Sequence, residues 1–263
     1  MIDWKKMKYE DQITTDSLWI TESQHNGKFV IPKREMFKDF DSSFHGLFIP
    51  EIPYQMIRRF SKEGDKIWDC FAGGGTTYYV AKKIGRENDV FLSDLTVKQS
   101  ANGSNIHFAD VLNNEPLKEY KDILITAHPF KMIFFHPPYY NIINFSENND
   151  NTQNNDLSNT SSLVVFLNRI ELAIKNTTQY LQDNGTVILV CGNIWYNNEE
   201  IDLGVEIKEK FRKVGFKCRS HIIKDYGETK AKIFGQGYNL QYYRNLKNKT
   251  NFFYGDNIFI LQK

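Results

Sequence analysis

The sequence predicts an α/β protein with a mostly parallel sheet and helices on both faces. Three observations predict it. Short apolar runs alternate with segments of helical spacing. One run, Gly185 to Cys191, is near-continuously apolar, as a strand covered on both faces is. A tight glycine turn, Ala72-Gly-Gly-Gly, follows the first run. In chain order, Lys66-Ile-Trp-Asp-Cys-Phe is a strand running into that turn, and Thr76 to Ile84 has helical spacing that Gly85 ends. Asp89 to Asp94 and Asn105 to Asp110 are the next strands. Lys131-Met-Ile-Phe-Phe follows and stops at His136-Pro137-Pro138, because prolines cannot continue a central strand. Ser162 to Leu181 is a long helix before the Gly185 strand, and Ile201 to Val214 is an amphipathic helix ending at Gly215. Phe216 to Lys224 and Asn257 to Gln262 are the last strands, expected to pair antiparallel.

The chain has 263 residues, enough for one large domain or one domain with a small appendage. With 33 basic and 32 acidic residues it is neither an acidic solvating chain nor a histone-like basic one. No stretch approaches the roughly 18 apolar residues of a membrane span, and no signal peptide is read at the N-terminus. Three widely spaced cysteines without Cys-x-x-Cys fit a reducing cytoplasm. No cluster of His, Cys and carboxylates has metal spacing, so no metal is expected.

Charge is unevenly placed: residues 205–263 hold 13 basic and 5 acidic side chains. That asymmetry is either a polyanion contact or a solvated surface. The tract Asn141 to Asn159 holds 8 asparagines among 19 residues, so 141–160 is expected to be a mobile surface loop and a candidate lid. Residues 1–44 form an N-terminal extension whose Trp4, Trp19, Phe37, Phe40 and Phe44 pack either on the domain 45–263 or on a partner.

In an open parallel sheet, ligands bind beyond the carboxyl ends of the strands at the topological switch point. Four predicted strands end in residues suited to such a site: Asp69-Cys-Phe-Ala-Gly-Gly-Gly, Asp94, Asp110 and His136-Pro-Pro-Tyr. The glycine loop is not a P-loop, because no lysine stands at the required spacing. Nor is it a dinucleotide fingerprint, because Tyr78 stands where the third glycine belongs and its ring would block the close helix–strand approach. What remains is a loop whose backbone approaches a nucleoside without cradling a diphosphate. Asp94, at the end of the next strand, can accept both ribose hydroxyls. Such a pair suits an adenosine bearing a non-phosphate group, such as S-adenosylmethionine.

Asp69-Cys-Phe-Ala-Gly-Gly-Gly-Thr-Thr followed by His136-Pro-Pro-Tyr-Tyr resembles the exocyclic-amine DNA methyltransferases, which modify adenine N6 or cytosine N4. The resemblance covers roughly residues 45–195 and continues weakly to the end, with His45-Gly-Leu-Phe-Ile-Pro-Glu-Ile-Pro, Asp156-Leu-Ser-Asn and Asn257-Ile-Phe-Ile-Leu also similar to the family. It implies a Rossmann-like class I methyltransferase fold, with a seven-stranded sheet, mostly parallel, and an antiparallel final strand. It implies S-adenosylmethionine as methyl donor, with Asp69, Phe71, Gly73, Gly75 and Thr76 at its methionine end, Asp94 on the ribose and Asp110 at the adenine edge. Phe71 is equally readable as core, and Cys70, where the family has proline, as a small core residue.

The catalytic residues implied are His136, Pro137, Pro138 and Tyr139. An exocyclic amine shares its lone pair with the ring, and acceptors on its N–H bonds free that pair, the charge-reversed form of an oxyanion hole. The resemblance gives this role to the side chain at 136 and the Pro137 carbonyl, with Tyr139 stacked on a flipped base. His136 stands where the family has Asp, Asn or Ser, which hides whether the base is adenine or cytosine. A free imidazole titrates at about 6.5, and methylation is expected to fall as pH drops through the value the site imposes on His136. The expected partner is double-stranded DNA, within a modification or restriction-modification system. Candidate contacts are Lys224, Lys230, Lys232, Arg244 and Lys247, in an excursion over 217–256 that interleaves basic and aromatic residues. Such a small recognition region suggests a short site, a homodimer or a separate specificity subunit. The alternatives are the same chemistry on RNA or a protein amide, or a catalytically weak subunit of a larger complex in which His136 marks lost activity.

Overall fold

A computed structural model describes residues 17–21, 30–31, 35–41, 46–96, 105–121, 124, 128–143, 145, 155–225, 246–247, 249 and 255–263. The strands are β1 (Leu18–Thr21), β2 (Val30–Ile31), β3 (Lys66–Asp69), β4 (Val90–Asp94), β5 (His107–Phe108), β6 (Phe130–Phe135), β7 (Leu181–Gly192), β8 (Ile194–Tyr196), β9 (Glu199–Ile201), β10 (Lys217–Asp225) and β11 (Gly255–Gln262). The helices are α1 (Glu51–Phe60), α2 (Thr76–Lys83), α3 (Leu163–Thr178) and α4 (Leu203–Lys213).

Among the described residues the main sheet has nine strands in the order β2-β1-β10-β11-β7-β6-β3-β4-β5. The seven from β10 to β5 are the expected α/β sheet. Within them β3, β4, β5, β6 and β7 run parallel, and β11 alone is reversed, antiparallel to both β10 and β7. The other two strands come from the N-terminal segment, where β1 pairs in parallel with β10 and with β2. Trp19 of β1 is fully buried, and Phe37 packs edge-on against Tyr54 of α1 at 5.8 Å.

Strand periodicity explains both faces. In β6, Ile133 and Phe135 point to the side covered by α3 and α4, while Met132 and Phe134 point to the side covered by α1 and α2. The same alternation runs through β7 and β11: Val187, Leu189, Phe259 and Leu261 on one side, Ile188, Val190, Ile258 and Ile260 on the other. Central strands therefore carry few polar residues, and their backbone groups pair within the sheet. The helix α3 begins at Ser162, whose Oγ accepts from the Val165 N–H at 3.3 Å. Ser162→Ala is expected to cost about 1 kcal/mol in urea-induced unfolding, the usual loss of an N-cap, with the fold unchanged.

The topology reverses between β3 and β6. From β3 the chain moves outward through β4 and β5, then returns to lay β6 on the other side of β3. The carboxyl ends of these strands leave a crevice, and the residues singled out from the sequence sit there. No helix among the described residues is long and apolar enough to cross a membrane.

Candidate active site

The crevice is a cavity of about 430 Å³. That is the size of an ordinary small-molecule site. Its wall includes Phe71, Gly73, Asp94, Asp110, His136, Pro137, Pro138 and Tyr139. Residues that lie 68 positions apart in the sequence are thus brought to one surface by the parallel strand ends.

The glycine loop is lashed down on two sides. Gly73 and Gly75 have φ of 48° and 80°, left-handed conformations that glycine adopts without a Cβ penalty. The Ala72 N–H donates to the Ser93 carbonyl at 3.1 Å, and the Gly73 N–H donates to Asp94 Oδ2 at 2.9 Å. Asp94 Oδ1 also accepts from the Thr96 N–H at 3.0 Å. Burial pushes the Asp94 carboxyl up from its ordinary value, against the pull of these hydrogen bonds. Asp110 also lines the cavity; its Oδ1 accepts from the Leu112 N–H at 2.8 Å and its Oδ2 from Asn155 Nδ2 at 2.6 Å.

Asp69, Gly75 and Thr76 differ from the expectation of direct cofactor contact, since none of the three lies in the cavity wall. Asp69 is 1% exposed. Its Oδ2 accepts from Thr77 Oγ1 at 2.5 Å and its Oδ1 from the Phe71 N–H at 3.3 Å. Burial raises its carboxyl to about 7. Asp69 therefore ties the loop to α2 from behind. Gly75 is the N-cap of α2, and Thr76 is its first residue, buried, with a hydroxyl that lacks a partner among the described residues.

The opposite wall follows β6. Pro137 is buried, Tyr140 turns back with φ of 55°, and its N–H donates to the Pro138 carbonyl at 2.9 Å. The tilted Phe48 ring, from the segment preceding α1, lies 5.0 Å from the His136 ring. His136 keeps some exposure toward the cavity, yet the protein packed around it dominates. Desolvation lowers its imidazole to about 4; the Asp256 charge pulls it up and the Lys224 charge pushes it down. The value that this site imposes therefore lies well below that of a free imidazole. Tyr139 is pressed against β7: a Cβ built on Gly192 would stand 2.7 Å from Tyr139 Cε2, so only glycine fits there.

Asp256 was not identified from the sequence. It lies in the cavity wall, is 3% exposed, and accepts the Tyr139 hydroxyl proton at 2.8 Å. Lys224 corrects an expectation. It was assigned to DNA contact, but it is 3% exposed and its ammonium lies 3.3 Å from Asp256 Oδ2. Alternation along β10 turns Lys224 to the same buried side as Ile222, away from any phosphate in solution. Lys247 is exposed, while Lys230, Lys232 and Arg244 lie outside the described residues, as does most of the Asn-rich tract. The described end of that tract, Leu157–Asn159, is a single helical turn capped by Asp156.

A protein-family model described as DNA methylase, of the N6/N4 type, matches residues 3–121. That match supports the exocyclic-amine DNA methyltransferase family. The matched residues include the glycine loop, Asp94 and Asp110, and end before His136. No curated protein matches the sequence. Among solved structures, TrmN from Thermus thermophilus is similar at 16% identity with a TM-score of 0.49, over 82% of this chain and 49% of that one, so the chain spans about half of its length. A TehB-like S-adenosylmethionine-dependent methyltransferase from Corynebacterium glutamicum is similar at 15% identity and a TM-score of 0.43, over 80% of this chain and 86% of that one. An O-methyltransferase of a Brevibacillus brevis multienzyme, in complex with S-adenosyl-L-homocysteine, is similar at 13% identity and a TM-score of 0.48, over 82% of this chain and 72% of that one.

Proposed function

We propose that this chain methylates the exocyclic amine of a DNA base, adenine N6 or cytosine N4, using S-adenosylmethionine. The observation that carries the proposal is the shared wall: His136-Pro-Pro-Tyr139 and the nucleoside-type residues Gly73, Asp94 and Asp110 line one cavity at the switch point of the sheet. A methyl donor and an acceptor amine must meet in one place, and this cavity offers both halves.

The residues present fit the donor. It is cationic at sulfur, and the carboxylates of the wall include Asp94 and Asp110, beside the Phe71 ring. Asp94 accepts the ribose hydroxyls, and Asp110 reads the adenine edge. Asp69 keeps the loop in place from behind. When bound, S-adenosylmethionine supplies an electrophilic methyl group.

The rest of the chemistry belongs to the chain. His136 is neutral at physiological pH, because its imidazole is held near 4. It can therefore accept an N–H from the amine, and the Pro137 carbonyl takes the other. Two prolines in succession fix φ and remove backbone donors, so that carbonyl has a set direction. These acceptors favour the pyramidal nitrogen and face the positive charge that grows on it. The Tyr139 ring, held at its hydroxyl and backed by Gly192, offers a face for the extruded base. An imidazolium at 136 would offer two donors and no acceptor.

Asp94→Ala should weaken S-adenosylmethionine binding by roughly 1.5–3 kcal/mol, the scale of hydrogen bonds to a charged group. Calorimetry on folded protein checks it, and unchanged affinity would remove Asp94 from the site. The function is tested by offering labelled S-adenosylmethionine with DNA, RNA and protein in parallel. Label entering duplex DNA is expected. Label confined to RNA or to protein would replace the DNA reading with one of those substrates.

A further inference from the structure

At the rim of the cavity runs a hydrogen-bond chain whose polarity can be worked out. Lys224 of β10 and Asp256 of β11 are cross-strand partners, both buried, with Nζ 3.3 Å from Oδ2. Asp256 Oδ1 accepts from the Tyr139 hydroxyl at 2.8 Å, and that hydroxyl oxygen lies 3.1 Å from His136 Nε2. An ammonium only donates, and an ionised carboxylate only accepts. Tyrosine has one hydroxyl proton, and here it is committed to Asp256. Toward His136 the phenol oxygen can then offer only a lone pair. In a neutral imidazole, Nε2 must carry the ring proton, which leaves the lone pair on Nδ1. His136 lies in the cavity wall, and among the described residues Nδ1 has no hydrogen-bond partner.

We propose that Asp256, held by Lys224, is a positioning residue that acts through Tyr139 to fix His136 in the Nε2-protonated tautomer, leaving Nδ1 as the acceptor for the target amine. The proposal rests on the amine-methylation reading and adds to it which ring nitrogen works and what sets it. Without the carboxylate, the tyrosine hydroxyl is free to turn and donate to Nε2. The ring proton then moves to Nδ1, and the acceptor is lost. Lys224 has a separate part. A lone buried Asp256 would favour the imidazolium, which cannot accept, and the ammonium opposes that pull. Among the described residues the charged groups acting on His136 are these two, while Phe48 faces it with an apolar ring.

The test is the tautomer itself, read by long-range proton–nitrogen NMR correlation on protein labelled with 15N at histidine. The His136 signals are assigned by their loss in His136→Ala. In the wild-type protein at pH 7, a protonated Nε2 and a bare Nδ1 are expected. Asp256→Ala is made together with Lys224→Met, because a buried ammonium without its partner is strongly destabilising. Tyr139→Phe removes the relay and leaves the ion pair in place, so it serves should the double variant not fold. The double variant should populate the Nδ1-protonated form, and Tyr139→Phe, which leaves no hydroxyl at Nε2, should show both tautomers in place of one. The double variant should also lower the single-turnover rate by about 100-fold or more, the scale seen when a preorganised group or a catalytic tautomer is lost, and Tyr139→Phe by a smaller factor that follows the share of rings lacking a bare Nδ1. Cofactor affinity should stay within about threefold, since the loss falls on the chemical step. An Nδ1-protonated ring in the wild type overturns the proposal, as do variants that keep both tautomer and rate. The expected tautomer in a protein that methylates no amine would overturn the reaction and leave the tautomer assignment standing.

Discussion

His136→Ala is expected to lower the single-turnover rate of methyl transfer about 100-fold or more, the cost of removing one preorganised group from the place where charge develops. Its binding of S-adenosylmethionine should change little, because Asp94 and Asp110 stand on the other wall. The pH profile separates this role from mere proximity. His136 titrates near 4, below the ordinary imidazole value, because burial disfavours its charged form. Its acceptor is therefore present across pH 5.5–8.5, and the wild-type rate should be flat there as far as this group is concerned. Burial acts in the opposite sense on a carboxyl. His136→Asp should thus retain part of the activity and acquire an acid limb nearer neutrality than the wild type has. An alanine variant with wild-type rates would take His136 out of the chemistry.

Phe135→Ala is expected to cost about 3–5 kcal/mol of stability, the range for truncating a buried aromatic. Phe135 is fully buried and meets Phe71 edge-on at 5.0 Å and Phe211 edge-on at 5.2 Å. It is also the residue before His136, and Phe71 lies across the cavity in the glycine loop. The cavity left behind would loosen both walls, so the rate should fall along with the denaturation midpoint. Urea unfolding followed by fluorescence checks the first effect and single-turnover kinetics on the folded fraction the second. A loss below about 1 kcal/mol would mean that the two walls do not depend on this ring.

The legible part of the fold was the part with strong local signals. The apolar run of β7 and the proline stop after β6 carry their own evidence, and both strands lie where those signals place them. The helix α1 was hidden by Pro50 and Pro53, yet proline is tolerated before and within a first helical turn, where backbone N–H groups have no helical partner. The hairpin β8–β9 was missed although it had a signal: Asn197 and Asn198, both at positive φ, between two short strands. The strands β1 and β2 had none, because β1 forms by pairing with the distant β10, Leu18 opposite Ile223, and β2 by pairing with β1.

The site divides in the same way. Its cavity-lining members were read from strand ends, where ligands of parallel sheets gather. Asp69 ends β3 as the sequence places it, but its carboxylate turns to Thr77 and away from the cavity wall, a direction that the sequence does not give. Lys224 was counted by charge, although its spacing of two from Ile222 already placed it on a buried face. Asp256 was invisible because its role comes only from β11 running backward between β10 and β7, which brings the start of that strand to the ends of the others.

If this cavity methylates an exocyclic base nitrogen, the product nucleoside carries its new methyl group on that nitrogen. Duplex DNA is incubated with the protein and S-adenosylmethionine, digested to nucleosides and analysed by mass spectrometry against authentic standards. N6-methyladenine or N4-methylcytosine is predicted, absent when His136→Ala replaces the wild type. A methyl group on a ring carbon such as cytosine C5, where no amine needs an acceptor at 136, would contradict the account.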